Sequence, residues 1–532
     1  MKKIFIGFAF SAVVLASCSK NELTNTNIDP TAATASNFDP NYLLTSGELG
    51  YANGGAGYTQ LLYQSMMMQG LSSTLGYYGN GDKYVNTSGT IGYQASIWSL
   101  NYTALSKLNQ AITIAKTKDA VKYNNVIQIA KINEMMIFQR ITDTYGDVPF
   151  TQALLATTGN VTPVYDTQKS IYTAMLTELQ TAITALSATG TTASGDVYYA
   201  GNVAQWQKFG YSLMLRIAMR LTKADPTTAQ TWAETAYKGG TLASNADNAI
   251  FLTDKSYSDT QNASTGALQV TDDFQQVRWS QTYINFLKAT NDPRLGVVAE
   301  ISLPGKVNNT SQTLTGDNTA SLQIGMPNGY DQNGSTTDIS QAPNYPGATG
   351  TVKDLAPLGG YSRPRIAVYL QTNAPIFVLS YAETQLLLAE AAYRGWAVGG
   401  SAATYYANGV TAALNSMSQM STASSTIAAA DVATYVAANP LVTGSELKMI
   451  NEQYWANEIS NFTFIECWAN WKRSGYPVLT PVVYTGNVTN GTIPRRMPYP
   501  ATEITVNGAN YSAAVGLISG GDLLTSRVWW DK

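Results

Sequence analysis

Phe138-Gln139-Arg140-Ile141-Thr142-Asp143-Thr144-Tyr145-Gly146-Asp147-Val148-Pro149-Phe150 carries a helix and its stop in one run. Ile129, Met136 and Ile141 fall on one face, so the spacing predicts a helix over about 121–145. Gly146 supplies the left-handed position that ends it, and Pro149 keeps it from resuming. Asp143 and Asp147 straddle this stop. A glycoside hydrolase places two carboxylates about 5–9.5 Å apart across an open site. A pair astride a helix end is instead accounted for by a capped turn.

Helical spacing continues on both sides of this run. Trp98, Tyr102, Leu105, Leu108 and Ile112 predict a helix that begins at about Ile97. Ile171, Met175, Leu179, Ile183 and Leu186 predict another over 168–186, capped by Thr167 or Asp166. Helices over about 203–223 and 227–237 follow, the first closed by Asp225-Pro226 and the second by Gly239-Gly240. From about Thr241 to Pro375 the chain is rich in Gly, Asn, Ser, Thr and Pro, with one good helix near 281–290. Helix returns over 379–395, 402–417, 431–438 and 445–473, and the tail from Gly475 reads as turns and short strands. The expected fold is mostly α. Antiparallel helix pairs, resembling tetratricopeptide packing without a clean repeat, frame one large loop-rich insertion.

Composition narrows the chemistry. Hydrophobic residues make up 45% of the chain, ample for a core, while charged residues make up only 13%, against about 25% in an ordinary soluble domain. Amides, hydroxyls, Gly and Tyr must cover much of the surface, which suits uncharged polar ligands. A net charge of −3 without a basic cluster argues against nucleic acid as a partner. The chain contains no histidine, which removes Ser-His-Asp and Cys-His catalysis and histidine metal sites. Of the two cysteines, Cys467 sits in an apolar helical setting and reads as a buried structural thiol.

The other is Cys18. Lys2 and Lys3 precede an apolar run from Ile4 to Val14, too short for a permanent membrane span, and Leu15-Ala16-Ser17 leads directly to the cysteine. This is a lipobox: residues 1–17 are expected to be a lipoprotein signal peptide and Cys18 the acylated residue. Residues 18–40 read as a polar spacer, and 41–532 as a single domain. Its helical scaffold is expected over about 97–240 and 376–474, with the insertion over about 241–375. Two or more acyl chains hold a protein stably at a membrane.

Six segments together resemble the SusD/RagB family of outer-membrane nutrient-binding lipoproteins. They are the quoted run 138–150; Tyr165-Asp166 with Ile171, Tyr172, Leu176 and Leu179; Trp206 to Leu221 (WQKFGYSLMLRIAMRL); Asn291-Asp292-Pro293-Arg294-Leu295; Leu379 to Ala391; and Arg495-Arg496-Met497-Pro498-Tyr499-Pro500 with Glu503 and Asn510. The matches keep the family's order and cover most of the chain from about residue 40, closest to the SusD-like branch. The resemblance implies a scaffold of four tetratricopeptide-like units. It also implies a non-catalytic surface protein that captures nutrient and delivers it, as a hinged lid, to a SusC-like TonB-dependent β-barrel transporter. The cargo implied is usually an oligosaccharide, with peptide or another small nutrient as the alternative and a surface glycosidase as the competing class. Localisation at the outer membrane, facing the exterior, follows from the same resemblance; Ser19-Lys20-Asn21-Glu22 only partly matches the acidic export signal of such proteins.

Candidate ligand contacts are the aromatics in Gly/Asn-rich segments where no helical stripe requires them: Tyr77, Tyr78, Tyr84, Tyr93, Trp279, Tyr330 and Tyr345. An aromatic ring stacks on the C–H face of a sugar while polar side chains bond its hydroxyl rim, and Asn80 and Asp82 stand beside Tyr77-Tyr78. No cofactor is expected. A structural calcium is left open, since several Asp-rich loops could hold one and none has EF-hand spacing. Glu383 and Glu390 lie on one helical face and are expected to pair with buried arginines such as Arg140 or Arg216, because an unpaired buried carboxylate is costly.

Overall fold

The structure, a computed structural model, describes residues 38–53, 56–256, 260–302, 306–347 and 359–532. Cys18, the signal peptide and the spacer up to residue 37 lie outside the described residues.

The chain is mostly helical. Helix α1 (Pro40–Ala52) starts at Asp39, whose carboxylate accepts from Asn41 N, and α2 (Ala56–Leu62) follows. Strand β1 (Leu71–Ser73) then precedes the scaffold proper: α3 (Ser96–Asp119), α4 (Asn124–Tyr145), α5 (Gln168–Ala185), α6 (Val203–Arg220) and α7 (Pro226–Gly239). Each of these packs on the next, and α1 lies along α3. Thr167, Asn202 and Asp225 cap α5, α6 and α7 through side-chain oxygens, each worth about 1 kcal/mol.

In the insertion, β2 (Ala249–Phe251), α8 (Ala263–Leu268), α9 (Thr271–Gln276), β3 (Val277–Trp279), α10 (Gln281–Ala289), β4 (Ala299–Glu300) and β5 (Arg363–Pro364) are short. β6 (Ile376–Leu379) leads back to the helices α11 (Tyr381–Tyr393), α12 (Ala402–Ser416), α13 (Ala429–Ala438), α14 (Glu446–Ser460) and α15 (Phe464–Ser474). Of three antiparallel ladders, β1–β3 ties the insertion to the segment ahead of α3, β2–β6 ties it to the strand before α11, and β4–β5 lies within it.

Three expectations need correction. Helix does not begin at Ile97: α1 and α2 precede it. Gly47 and Gly50 weaken α1 intrinsically, by about 1 kcal/mol each. They are what lets it approach α3, since a Cβ on Gly47 would fall 2.4 Å from Leu108 Cδ2 and one on Gly50 2.9 Å from Ala104 Cβ. The helix expected over 445–473 is two, broken where Phe462 takes φ 58° to stack on Tyr369 at 4.5 Å. From residue 475 on there are no strands; two short helices, α16 (Thr502–Val506) and α17 (Gly508–Leu517), replace them.

The stop after Tyr145 is as expected. Gly146 has φ 87°, and Thr142 Oγ1 donates to its carbonyl at 2.6 Å. A Cβ there would meet nothing closer than 3.7 Å, so the cost of a side chain lies in the backbone. Gly146→Ala is expected to destabilise the protein by about 1–3 kcal/mol, read as a lowered urea midpoint with an unchanged m-value.

Buried ion pairs join the helices. Arg216 grips Glu383 through two bonds of 2.5 and 2.6 Å, as the sequence suggested. Glu390 pairs instead with Arg473 (2.6 and 2.7 Å) and Arg394 (2.7 Å). Arg140 takes neither carboxylate. It donates to Tyr51 O and lies 3.4 Å over the Tyr51 ring.

Candidate ligand-binding site

Of the nine residues singled out in the loops, five are buried and cannot offer a face to a ligand. Trp279 is a core residue: its Nε1 donates to Val298 O, and Tyr283, Tyr369 and Phe462 surround it. Tyr78 and Tyr84 are fully buried. Asn80 accepts from Thr90, and Asp82 holds the opposite loop by accepting from Asn328 Nδ2 (2.7 Å) and Gly329 N (2.9 Å). The glycines around these residues made the stretch look exposed. Gly81 explains why it is not: a Cβ there would lie 2.2 Å from Leu62 O, so the loop is folded hard against α2.

Tyr77 and Tyr93 are half-buried and come together with a third ring, Tyr58, which sequence reasoning missed. Ring centroids are 5.1 Å apart for Tyr58–Tyr93, 6.2 Å for Tyr58–Tyr77 and 6.4 Å for Tyr77–Tyr93. Tyr77 Oη donates to Tyr93 Oη at 3.2 Å. Three separate elements meet here: α2 carries Tyr58, the turn 76–78 carries Tyr77, and the turn 91–95 carries Tyr93. The β1–β3 ladder, with Ser73 opposite Val277, brings the 76–78 turn beside α9 and its Asp273. The only sequence cue for Tyr58 is a glycine-rich run ahead of it, Gly54-Gly55-Ala56-Gly57.

Beside the rings, Tyr78 packs edge-on to Tyr77 at 6.2 Å and its buried hydroxyl faces the buried Asp273. Burial pushes the Asp273 carboxyl above the ordinary aspartate range, with neighbouring Tyr78 opposing it. Burial, then the contact with Tyr77, raises Tyr58; the Tyr77 hydrogen bond, then burial, raises Tyr93. The cluster is therefore an uncharged hydroxyl-bearing aromatic surface over one buried acid.

Tyr330 and Tyr345 are also half-buried but lie apart from this group, against the small apolar cluster of Met326, Ile339, Ala342 and Tyr361. The acidic loop beside them satisfies its own carboxylates. Asp331 accepts from Asn333 N, Thr337 Oγ1 and Tyr484 Oη, and Asp338 from Gly334 N and Ser340 N. Among the described residues, no group of three or more Cys, Asp or Glu converges as a metal site.

The carboxylates at the helix stop are occupied as well. Asp143 is buried against Arg220 (3.2 Å), Tyr172 and Trp530 Nε1 (3.0 Å). Asp147 accepts from Gln168 N at 2.7 Å.

A family model for SusD-like proteins, described as starch-binding and associating with the outer membrane, matches residues 32–500. The chain belongs to the SusD-like family. Among solved structures, a chitin-binding protein is 30% identical with a TM-score of 0.78, over 93% of this chain and all of that one. A SusD-like protein from Bacteroidetes AC2a is 23% identical with a TM-score of 0.79, over 93% and 100%. A chitin-binding SusD homologue from Flavobacterium johnsoniae is 22% identical with a TM-score of 0.71, over 92% and 98%. No curated protein matches. The SusD-like family supports glycan binding and an association with the outer membrane. No helix among the described residues is long and apolar enough to cross a membrane.

Proposed function

We propose that this SusD-like protein captures glycan without cleaving it, on the platform of Tyr58, Tyr77 and Tyr93, and passes it to a SusC-like TonB-dependent β-barrel transporter. The observation that carries the reading is the meeting of three half-exposed tyrosines from separate elements. Aromatic rings supply the apolar face that a pyranose ring stacks on, and the tyrosine hydroxyls supply partners for its rim. Acylation at Cys18 would hold the protein at the outer membrane, facing the exterior. Two of the similar solved structures are chitin-binding, so polymers of β-linked N-acetylglucosamine are the first cargo to test.

The test is native-gel retardation of the delipidated chain through gels carrying glycol chitin, starch, mannan, xylan or β-glucan, followed by an assay for reducing sugar. Retardation by at least one polymer with no sugar released is expected. Retardation by none, with growth of a deletion strain lost on peptides alone, would move the cargo to peptide. Sugar release abolished by a single Asp or Glu substitution would make the protein a glycosidase.

A further inference from the structure

Lysine is concentrated at one corner of this molecule. Residues 103–133 carry Lys107, Lys116, Lys118, Lys122 and Lys131 against a single acid, Asp119, in a chain whose net charge is −3. Lys131 is neutralised by Glu178 at 2.6 Å, and burial pushes the neighbouring Glu134 carboxyl up to about 8. The other lysines lie on α3 and on the turn from α3 to α4. Lys116 and Lys122 are exposed, and beside them stand Val121 (86% exposed) and Tyr42 (69% exposed). Tyr42 packs edge-on against Phe38 at 5.8 Å, and Lys122 Nζ lies 5.2 Å over the Tyr123 ring. The two acids of the corner are turned to backbone N–H groups: Asp39 accepts from Asn41 N, and Asp119 from Val121 N and Lys122 N.

The spacer enters the fold here. Lys118 Nζ donates to Phe38 O at 2.9 Å, and residues 19–37 separate Phe38 from Cys18, a span of at most about 70 Å. The helix dipole accounts for Lys116 and Lys118, which occupy the last turn of α3, where a cation is favoured. It does not account for Lys107 or Lys122, nor for an exposed valine and tyrosine beside them.

We infer that this corner, with Lys116, Lys118 and Lys122 around Tyr42 and Val121, rests on the phosphate-bearing headgroups of the membrane in which Cys18 would be anchored. The inference rests on the acylation proposed above. Lysines near an anionic headgroup layer each raise affinity about fivefold, and tyrosine and valine suit the boundary between headgroups and acyl chains. The anchor keeps the corner at high local concentration over the bilayer, so a weak contact is enough. A protein partner is a poorer occupant, because the cores of protein interfaces are depleted of lysine, and a second copy of the chain would set lysine against lysine. The contact also orients the glycan site. The turn Ile91–Ala95, which carries Tyr93, leads into the N-terminal end of α3, and the lysines stand at its C-terminal end. A helix of this length is about 36 Å long, so a corner seated on lipid holds the tyrosine platform out from the membrane.

Flotation of the delipidated chain with vesicles tests the contact apart from the anchor. Binding is expected to vesicles of equal parts phosphatidylglycerol and phosphatidylcholine, none to phosphatidylcholine alone, and a steep loss as salt is raised. Lys116→Gln with Lys122→Gln should weaken it about 25-fold, with glycan retardation and the urea midpoint as in the wild type. Lys238→Gln with Lys255→Gln, which removes the same charge from exposed positions outside the corner, should change it less than twofold. No binding to the anionic vesicles, or an equal loss in the two pairs, would overturn the inference and leave the anchor and the glycan reading standing. In native membranes, a photo-reactive phenylalanine derivative replacing Val121 in the lipidated chain is expected to give lipid adducts; protein adducts in their place would overturn it. Membrane-purified protein with no acyl chain on Cys18 by mass spectrometry would remove the anchor, and this inference with it.

Discussion

Glu390→Ala is expected to cost the protein about 3–5 kcal/mol, the range seen when one partner of a buried ion pair is removed. Arg473 and Glu390 are each 1% exposed, and their paired bonds at 2.6 and 2.7 Å sit where α11, α14 and α15 meet. Without the carboxylate, Arg473 keeps the amide oxygens of Asn470 and Asn451 and a long 3.5 Å bond to Thr222 Oγ1, and a guanidinium cannot shed its proton to escape. Glu390→Met with Arg473→Met should recover much of the loss, since the penalty lies in the orphaned charge and not in the missing attraction. Burial opposes ionisation of Glu390, but Arg473 and Arg394 outweigh it and take the carboxyl down to about 2. The folded value lies below the unfolded one, so this contribution is present in full above pH about 4.5 and lost as the pH falls through about 2. Urea midpoints of wild type and Glu390→Ala should therefore converge as the pH is lowered from 5 towards 2. A gap that stays constant over that window would mean that the carboxylate's charge is not what stabilises the junction.

The same pair shows how far a sequence can be read. Helices α4 and α5 are legible because each combines a 3.6-residue apolar stripe with a chemical end, Gly146 for one and Thr167 for the other, and Asp225-Pro226 marks the stop after α6. The need of Glu383 and Glu390 for arginines is legible too, as a rule about buried charge. Which arginine answers is not, because Arg473 lies 83 residues away and reaches Glu390 only once the helices have packed. The break at Phe462 carries no Gly or Pro to announce it, and α1 is disguised by glycines whose use is contact with α3. Much of the six segments that carry the family resemblance proved to be buried framework. Asp292–Arg294, Arg216–Glu383 and Arg496–Asp522 are buried or nearly buried ion pairs, and Trp206 is wholly buried. They specify the fold, and for that reason they do not point to the cargo. The tyrosine platform draws on three elements that meet only in the fold, so only Tyr77 and Tyr93 were within reach of composition, and Tyr58 was not.

Replacing those three tyrosines by alanine together is expected to abolish retardation by the glycan that the wild type recognises. A buried aromatic anchor at a binding surface contributes about 2 kcal/mol or more, roughly a 30-fold change in affinity, so each single substitution should already be visible on a gel. Tyr93→Ala is the cleanest of the three, because Tyr93 lies at the edge of the cluster, in a turn where no residue is buried; its loss should leave the urea midpoint nearly unchanged. Tyr77→Phe separates stacking from hydrogen bonding. It keeps the ring and removes the hydroxyl, with its 3.2 Å bond to Tyr93 and its contact with Tyr58, together worth about 1 kcal/mol, so retardation should fall by roughly fivefold. Tyr58 and Tyr93 are both held above the ordinary tyrosine value, Tyr58 chiefly by burial and Tyr93 chiefly by its bond with Tyr77. Both rings therefore stay neutral further into the alkaline range than a free tyrosine, and binding that depends on their faces should be flat across the neutral range, from about pH 6 to 8. Wild-type retardation in the triple variant, with its fold intact by circular dichroism, would place the glycan elsewhere on the surface, and Tyr330 and Tyr345 would be the next rings to remove.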